Sequence, residues 1–166
     1  MSSINKPMRA PDVSTLTATA TTYIDGFRTL DTEALSRILS DEYSHRFAPT
    51  SANLPGPMDH NGFIARLKHV GEVMSSFTVN IKQMWPNPSL RQVLVWANSE
   101  THFRRHLRDS DDEEEWTKRG EYMFLMTMNE TGEKILDVLE FVDSKATEDI
   151  VGLVARALEK KSSAES

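Results

Sequence analysis

Three side chains in this sequence have the type and placement for proton-transfer chemistry. Glu140 lies in an apolar run, Leu136-x-Val138-x-Glu140-x-Val142, and a strand's two-residue period puts all four on one face. Low-dielectric surroundings are how a carboxylate is made into a general acid or base. The competing reading is an edge-of-sheet Glu paired with an Arg. Tyr122 alternates with Phe124 and Met126. A phenol there can donate to a substrate oxygen as negative charge develops, or it can be a core Tyr whose hydroxyl reaches a backbone carbonyl. His45 stands between Tyr43 and Phe47 on one face of a short alternating run, just before a Pro-rich loop. Imidazole chemistry suits proton abstraction next to a ketone; a purely structural His is the alternative. Arg46 points the other way, to the surface or, if the strand twists, to an anion on the substrate.

Other chemistries are excluded or unsupported. There is no cysteine, hence no disulfide, thiolate nucleophile or Cys-ligated metal. His60, His69 and His106 are scattered, with no metal-ligand spacing, so no metal is expected. No Gly-rich phosphate loop, nucleotide fingerprint or nucleophile elbow is present. The 166 residues carry 19 basic and 25 acidic side chains, net −6. That diffuse negative charge argues against nucleic acid or an anionic membrane as partner. No run approaches the roughly 18 apolar residues of a membrane span, and no signal-peptide block is found, so a cytoplasmic location is expected.

These residues must be held by regular elements. Val13, Leu16, Ala20, Tyr23, Ile24, Phe27 and Leu30 recur at steps of three and four, which predicts a helix; Gly26 within it either weakens the helix or admits a close neighbour. Asp31 and Asp59 read as N-caps of two further helices, the second with the stripe Phe63, Ile64, Leu67, Val70 and Val73–Met74. After Ser76 the period becomes two: strands are predicted over Phe77–Trp85, Gln92–His106, Thr117–Met128 and Lys134–Val142. Asp109–Glu115, six acids in seven residues, reads as a solvated loop paired with Arg104, Arg105 and Arg108. Asp143 or Ser144 caps a closing helix. In the strand 92–106, Trp96, Asn98, Glu100 and His102 share one face and Val93, Val95, Ala97, Ser99, Thr101 and Phe103 the other. The apolar face is expected inside, leaving the polar stripe outside for a dimer contact; the reverse would make Glu100 and His102 an acid–base pair. Residues 1–12 read as a mobile lead-in, 13–160 as one domain and 161–166 as a frayed end. The class is α+β: a curved antiparallel sheet with about three helices across it and a C-terminal helix, enclosing a conical cavity.

The segments Tyr23-Ile24-Asp25-Gly26-Phe27, Tyr43-Ser44-His45-Arg46-Phe47, Glu121-Tyr122-Met123-Phe124 and Leu139-Glu140-Phe141-Val142-Asp143-Ser144-Lys145 resemble the SnoaL-like branch of the nuclear-transport-factor-2-like cone fold. The similarity to small fungal secondary-metabolism proteins runs from about Ser14 to Leu158. That family includes polyketide cyclases, meroterpenoid isomerases, a semipinacol-type rearrangement enzyme, scytalone dehydratase and non-catalytic binding modules. The resemblance implies a cofactor-free, usually dimeric enzyme acting on an oxygenated polycyclic, polyketide- or terpenoid-derived small molecule. It matches Tyr122 and Glu140 to a cavity Tyr and Glu. Lys118 stands where the rearrangement pattern has a second Tyr, and an early Arg maps only near His45 or Arg46. The expected site is therefore Glu140, Tyr122 and His45 as catalytic residues, with Tyr23, Phe27, Phe47, Arg46, His102 and Phe124 binding substrate. A dehydratase using Tyr23, Asp25 and His102, or a ligand-binding or dimerisation module, is the alternative.

Overall fold

Four aspartates start the four α-helices found among the described residues. The computed structural model describes residues 9–166. The predicted lead-in therefore lies outside the described residues except for its last four, where Asp12 accepts from Thr15 N at 2.8 Å and caps α1 (Val13–Thr29). Asp31 and Asp59 cap α2 (Thr32–Ile38) and α3 (His60–Gly71) as predicted, accepting from Ala34 N and Gly62 N. Asp143 caps α4 (Ser144–Ala164) by accepting from Ala146 N. Each satisfies a first-turn N–H that has no intrahelical partner. The closing helix continues through 161–163 to Ala164, beyond where the sequence suggests fraying.

Six strands form one open, curved sheet: β1 (Leu39–Ala48), β2 (Met58–Asp59), β3 (Met74–Asn87), β4 (Gln92–Phe103), β5 (Thr117–Met128) and β6 (Ile135–Val142). Their order is β2-β1-β6-β5-β4-β3. The α+β class holds, with one correction: the sheet is mixed, because β1 runs parallel to β6 while all other pairs are antiparallel. A parallel pair needs a long crossover, and everything between β1 and β6 supplies it.

Bulges account for two departures from simple alternation. The β3–β4 register shifts between Ile81 and Gln83. One extra residue reverses the facing of the positions after it, so Met84 packs on the core while Trp85 is turned out. The β5–β6 register likewise shifts at Thr127/Met128. Ile135 is buried in place of Leu136, while Val138, Glu140 and Val142 keep their inward facing.

Along α1 the predicted stripe Leu16, Ala20, Tyr23, Ile24 and Phe27 is buried, whereas Val13 is exposed. Gly26 serves close approach: a Cβ there would lie 2.6 Å from Cγ and Cδ2 of Leu35 on α2. Helix propensity alone makes Gly→Ala stabilising by about 0.5–1 kcal/mol. Here overpacking of about 1–3 kcal/mol opposes it. Gly26→Ala is therefore expected to be destabilising on balance, read as a lower denaturation midpoint in urea; a raised midpoint would show that Leu35 gives way freely.

A second apolar cluster joins α4 to the sheet through Leu153 and Ala157 against Phe103 and Trp116. Trp116 is fully buried, with the Arg156 guanidinium 4.8 Å above its ring. Arg156 also binds Asp109 and Glu115, and Arg108 binds Glu113. The acidic loop is thus tied down by Arg108 as expected, but by Arg156 rather than Arg104, whose guanidinium donates to Gly71 O. No helix among the described residues is long and apolar enough to cross a membrane.

Candidate functional site

The parallel pairing of β1 with β6 assembles the site. It sets Phe47 beside Glu140 and His45 beside Val138, all facing inward. His45 is fully buried, its ring stacked on Phe63 of α3 at 4.5 Å and 16°. Its Nε2 lies 2.9 Å from Glu140 Oε2, and its Nδ1 lies 2.8 Å from the Tyr43 hydroxyl. The Tyr23 hydroxyl, delivered by α1, is 3.2 Å from that of Tyr43. One proton assignment satisfies the whole chain. Tyr23 O–H donates to the Tyr43 oxygen, Tyr43 O–H donates to Nδ1, and Nε2–H donates to the Glu140 carboxylate. In that tautomer His45 holds one oxygen of Glu140 and leaves Oε1 to meet a guest.

Both buried phenols resist ionisation. Burial pushes Tyr23 and Tyr43 well above the ordinary tyrosine range, and the Glu140 charge adds to this in each.

Glu140, 8% exposed, opens onto a cavity of about 240 Å³ between the sheet and the helices. Tyr122, on β5, lines the same space. Glu140 sits opposite Phe124 and Tyr122 opposite Val142, so the two functional side chains are diagonal neighbours on one face, about 7–8 Å apart at the backbone. Burial pushes the Tyr122 phenol up to about 12; the nearby Ser99 and Thr147 hydroxyls pull down and the Glu140 charge pushes up. Phe27, Phe47 and Phe63 supply much of the apolar wall, and Thr147 and Val151 of α4 also line it. A cavity of about 150 Å³ holds benzene, so this one admits a bicyclic or small tricyclic guest.

Seven of the nine predicted residues divide into three groups. Glu140, Tyr122, Phe27 and Phe47 line the cavity. His45 and Tyr23 lie one layer behind it, reaching it through Glu140. Phe124 is fully buried beneath Tyr122, with ring centroids 6.1 Å apart, and supports the wall instead of touching a guest.

Two candidates are corrected. Arg46 stands on the outer face, paired through Nη2 with Asp137 at 2.7 Å, because strand alternation turns it away from His45. His102 is also outside, bonded to Glu100 at 2.7 Å, since β4 buries its Val93–Thr101 face as favoured. The dehydratase set is dispersed: Tyr23 is in the core, Asp25 on the solvent side of α1 and His102 on the outer sheet.

Sequence reasoning missed Arg66. It lies on α3 one position before Leu67 and three after Phe63, at the border of the apolar stripe, and it lines the cavity. Its guanidinium is 5.3 Å from the centroid of the Phe47 ring. A stripe read from apolar letters alone passes over such a flanking Arg, whose stem packs as a hydrophobe. Tyr43, noted only as a neighbour of His45, is the other omission.

No family model and no curated protein matches the chain. Solved structures do. BvnE pinacolase from Penicillium brevicompactum superposes with a TM-score of 0.73 at 20% identity, covering 86% of this chain and 92% of that one. AusH from Aspergillus nidulans gives 0.68 at 20%, over 81% and 87%. PrhC from Penicillium brasilianum gives 0.73 at 12%, over 89% and 93%. A protein from Burkholderia pseudomallei described as NTF2-like gives 0.64 at 11%, over 86% and 98%. At such identities the likeness is one of fold, and this chain has the nuclear-transport-factor-2-like cone fold.

Proposed function

We propose that this protein is a cofactor-independent isomerase or cyclase that moves protons on a polyketide- or terpenoid-derived ring ketone. The observation that carries this reading is the buried chain Tyr23–Tyr43–His45–Glu140, which ends in a carboxylate on an apolar cavity shared with the Tyr122 phenol. Glu140 Oε1 takes a proton from the carbon next to the ketone, or from a hydroxyl. His45 Nε2–H keeps hold of Oε2 and fixes the carboxyl plane. Tyr122 O–H donates to the oxygen that gains charge. Aromatic walls exclude water, which strengthens both interactions, and the cavity's shape selects the bond that forms. The pinacolase of the same fold supports a rearrangement of this type.

The test uses a bicyclic ketone that fits the volume. In heavy water, α-tetralone is expected to acquire deuterium next to its carbonyl faster with the protein than without it. Mass spectrometry reads the label. Absence of protein-dependent exchange across a panel of bicyclic ketones overturns the reading. Tyr122→Phe keeps the ring and removes the donor. It is expected to slow exchange by about 10²-fold with little change in KM, the loss typical of one oxyanion donor. Unchanged turnover would remove Tyr122 from the mechanism.

A further inference from the structure

Arg66 is the one Arg or Lys in the cavity wall among the described residues, and the proton-transfer reading gives it no task. It comes from α3, across from the sheet, and its guanidinium overlies Phe47, the residue paired with Glu140 in the β1–β6 register. The positive group thus lines the same cavity as the carboxylate and feels its charge, without a salt bridge between the two. What acts on Arg66 is burial, which lowers its pKa, and the field of Glu140, which partly restores it; no hydrogen bond from the described residues to the guanidinium contributes. Other arginines whose pKa is shifted contrast with this. Arg46 is forked onto Asp137, Arg119 binds Glu100, and Arg156 binds Asp109 and Glu115. A half-buried guanidinium with unused in-plane donors is costly unless something pairs with it. With its carbon over the Phe47 ring and no partner among the described residues, the guanidinium is the cationic hydrogen-bond donor that this wall supplies.

We propose that Arg66 is a specificity-determining residue that binds a carboxylate carried on the ring system of the substrate. A carboxylate is ionised at neutral pH without help and matches the guanidinium fork in two parallel hydrogen bonds. The inference deepens the proton-transfer reading and rests on its cavity. With the acid group held at Arg66, the ring lies along the Phe27–Phe47 wall and its reacting position falls between Glu140 and Tyr122. Neutral ring compounds of equal size are discriminated against because they leave the guanidinium unpaired.

Two ligands of matched shape test this by calorimetric titration, naphthoate and its neutral isostere naphthamide. Wild type is expected to bind naphthoate at least about tenfold more tightly than naphthamide. Arg66→Met keeps an unbranched apolar stem in the wall and is expected to abolish that preference while leaving naphthamide affinity within about twofold. Arg66→Lys retains the charge without the fork and is expected to recover part of it. Equal binding of the two ligands by wild type, a preference that survives in Arg66→Met, or failure of naphthoate to bind each overturns the inference. The exchange of α-tetralone, a neutral ketone, is measured on the same preparation. Exchange without carboxylate preference overturns the role of Arg66 and spares the acid–base reading; loss of both overturns the two together.

Discussion

Glu140→Gln is expected to lower the rate of ketone exchange by at least about 10²-fold while leaving the protein about as stable as before. The substitution keeps shape and removes only the basic oxygen. Its amide oxygen can still accept from His45 Nε2–H at the 2.9 Å position, so the hydrogen-bonded chain back to Tyr23 persists. A carboxylate at 8% exposure has lost most of its water, and His45 is fully buried beside it. Because the Gln amide keeps the hydrogen bond from His45, stability is not expected to follow activity downward. The two readouts separate the roles: a Glu140 kept for structural pairing would show a lower denaturation midpoint with Gln, and a base would show lost turnover at an unchanged midpoint. Wild-type exchange in a folded Glu140→Gln protein would remove Glu140 from the mechanism.

Much of this architecture is legible in the chain because strong local signals agree with the tertiary solution. Asp31, Asp59 and Asp143 cap helices wherever the helical period begins, and Val93 to Phe103 alternates as read, although alternation alone leaves both facings of that strand open. The features that escape depend on register. The parallel β1–β6 pair joins residues almost a hundred positions apart, and no local pattern announces it. Yet that pair is what brings His45 to Glu140. The bulges at Ile81/Gln83 and Thr127/Met128 are similar: one unpaired residue re-aims Trp85 and Leu136 without any mark in composition. Candidate residues divide according to their facing. Glu140 and Tyr122 follow alternation into the cavity, and the same alternation sends Arg46 out to Asp137. Arg66 stays hidden because a charged letter beside an apolar stripe reads as solvent-facing until the opposite wall is known.

All three tyrosines of the chain are held in their protonated form, and this makes alkaline stability steep. Tyr23, Tyr43 and Tyr122 are each at most 4% exposed, and burial raises the phenol pKa of every one, to about 12 for Tyr122 and well above the ordinary range for the other two. In the unfolded chain they titrate near the ordinary value of about 10. Between pH 10 and 12 the unfolded state therefore binds fewer protons than the native one, and stability falls as pH rises. With three groups the slope reaches about 4 kcal/mol per pH unit. By pH 12 that removes about 8 kcal/mol, comparable with a domain stability of about 5–15 kcal/mol, so unfolding is expected close to the pH at which Tyr122 would ionise in place. A spectrophotometric titration should show almost no phenolate near pH 10, then three tyrosines appearing in one step together with loss of circular dichroism; in denaturant the same three should titrate normally. A tyrosine that ionises near pH 10 in the folded protein would break the buried chain on which the site is built. The expectation reaches catalysis as well. Tyr122 can act as a donor only while it keeps its proton, so the alkaline limit of exchange activity should coincide with unfolding instead of showing a separate ionisation below it.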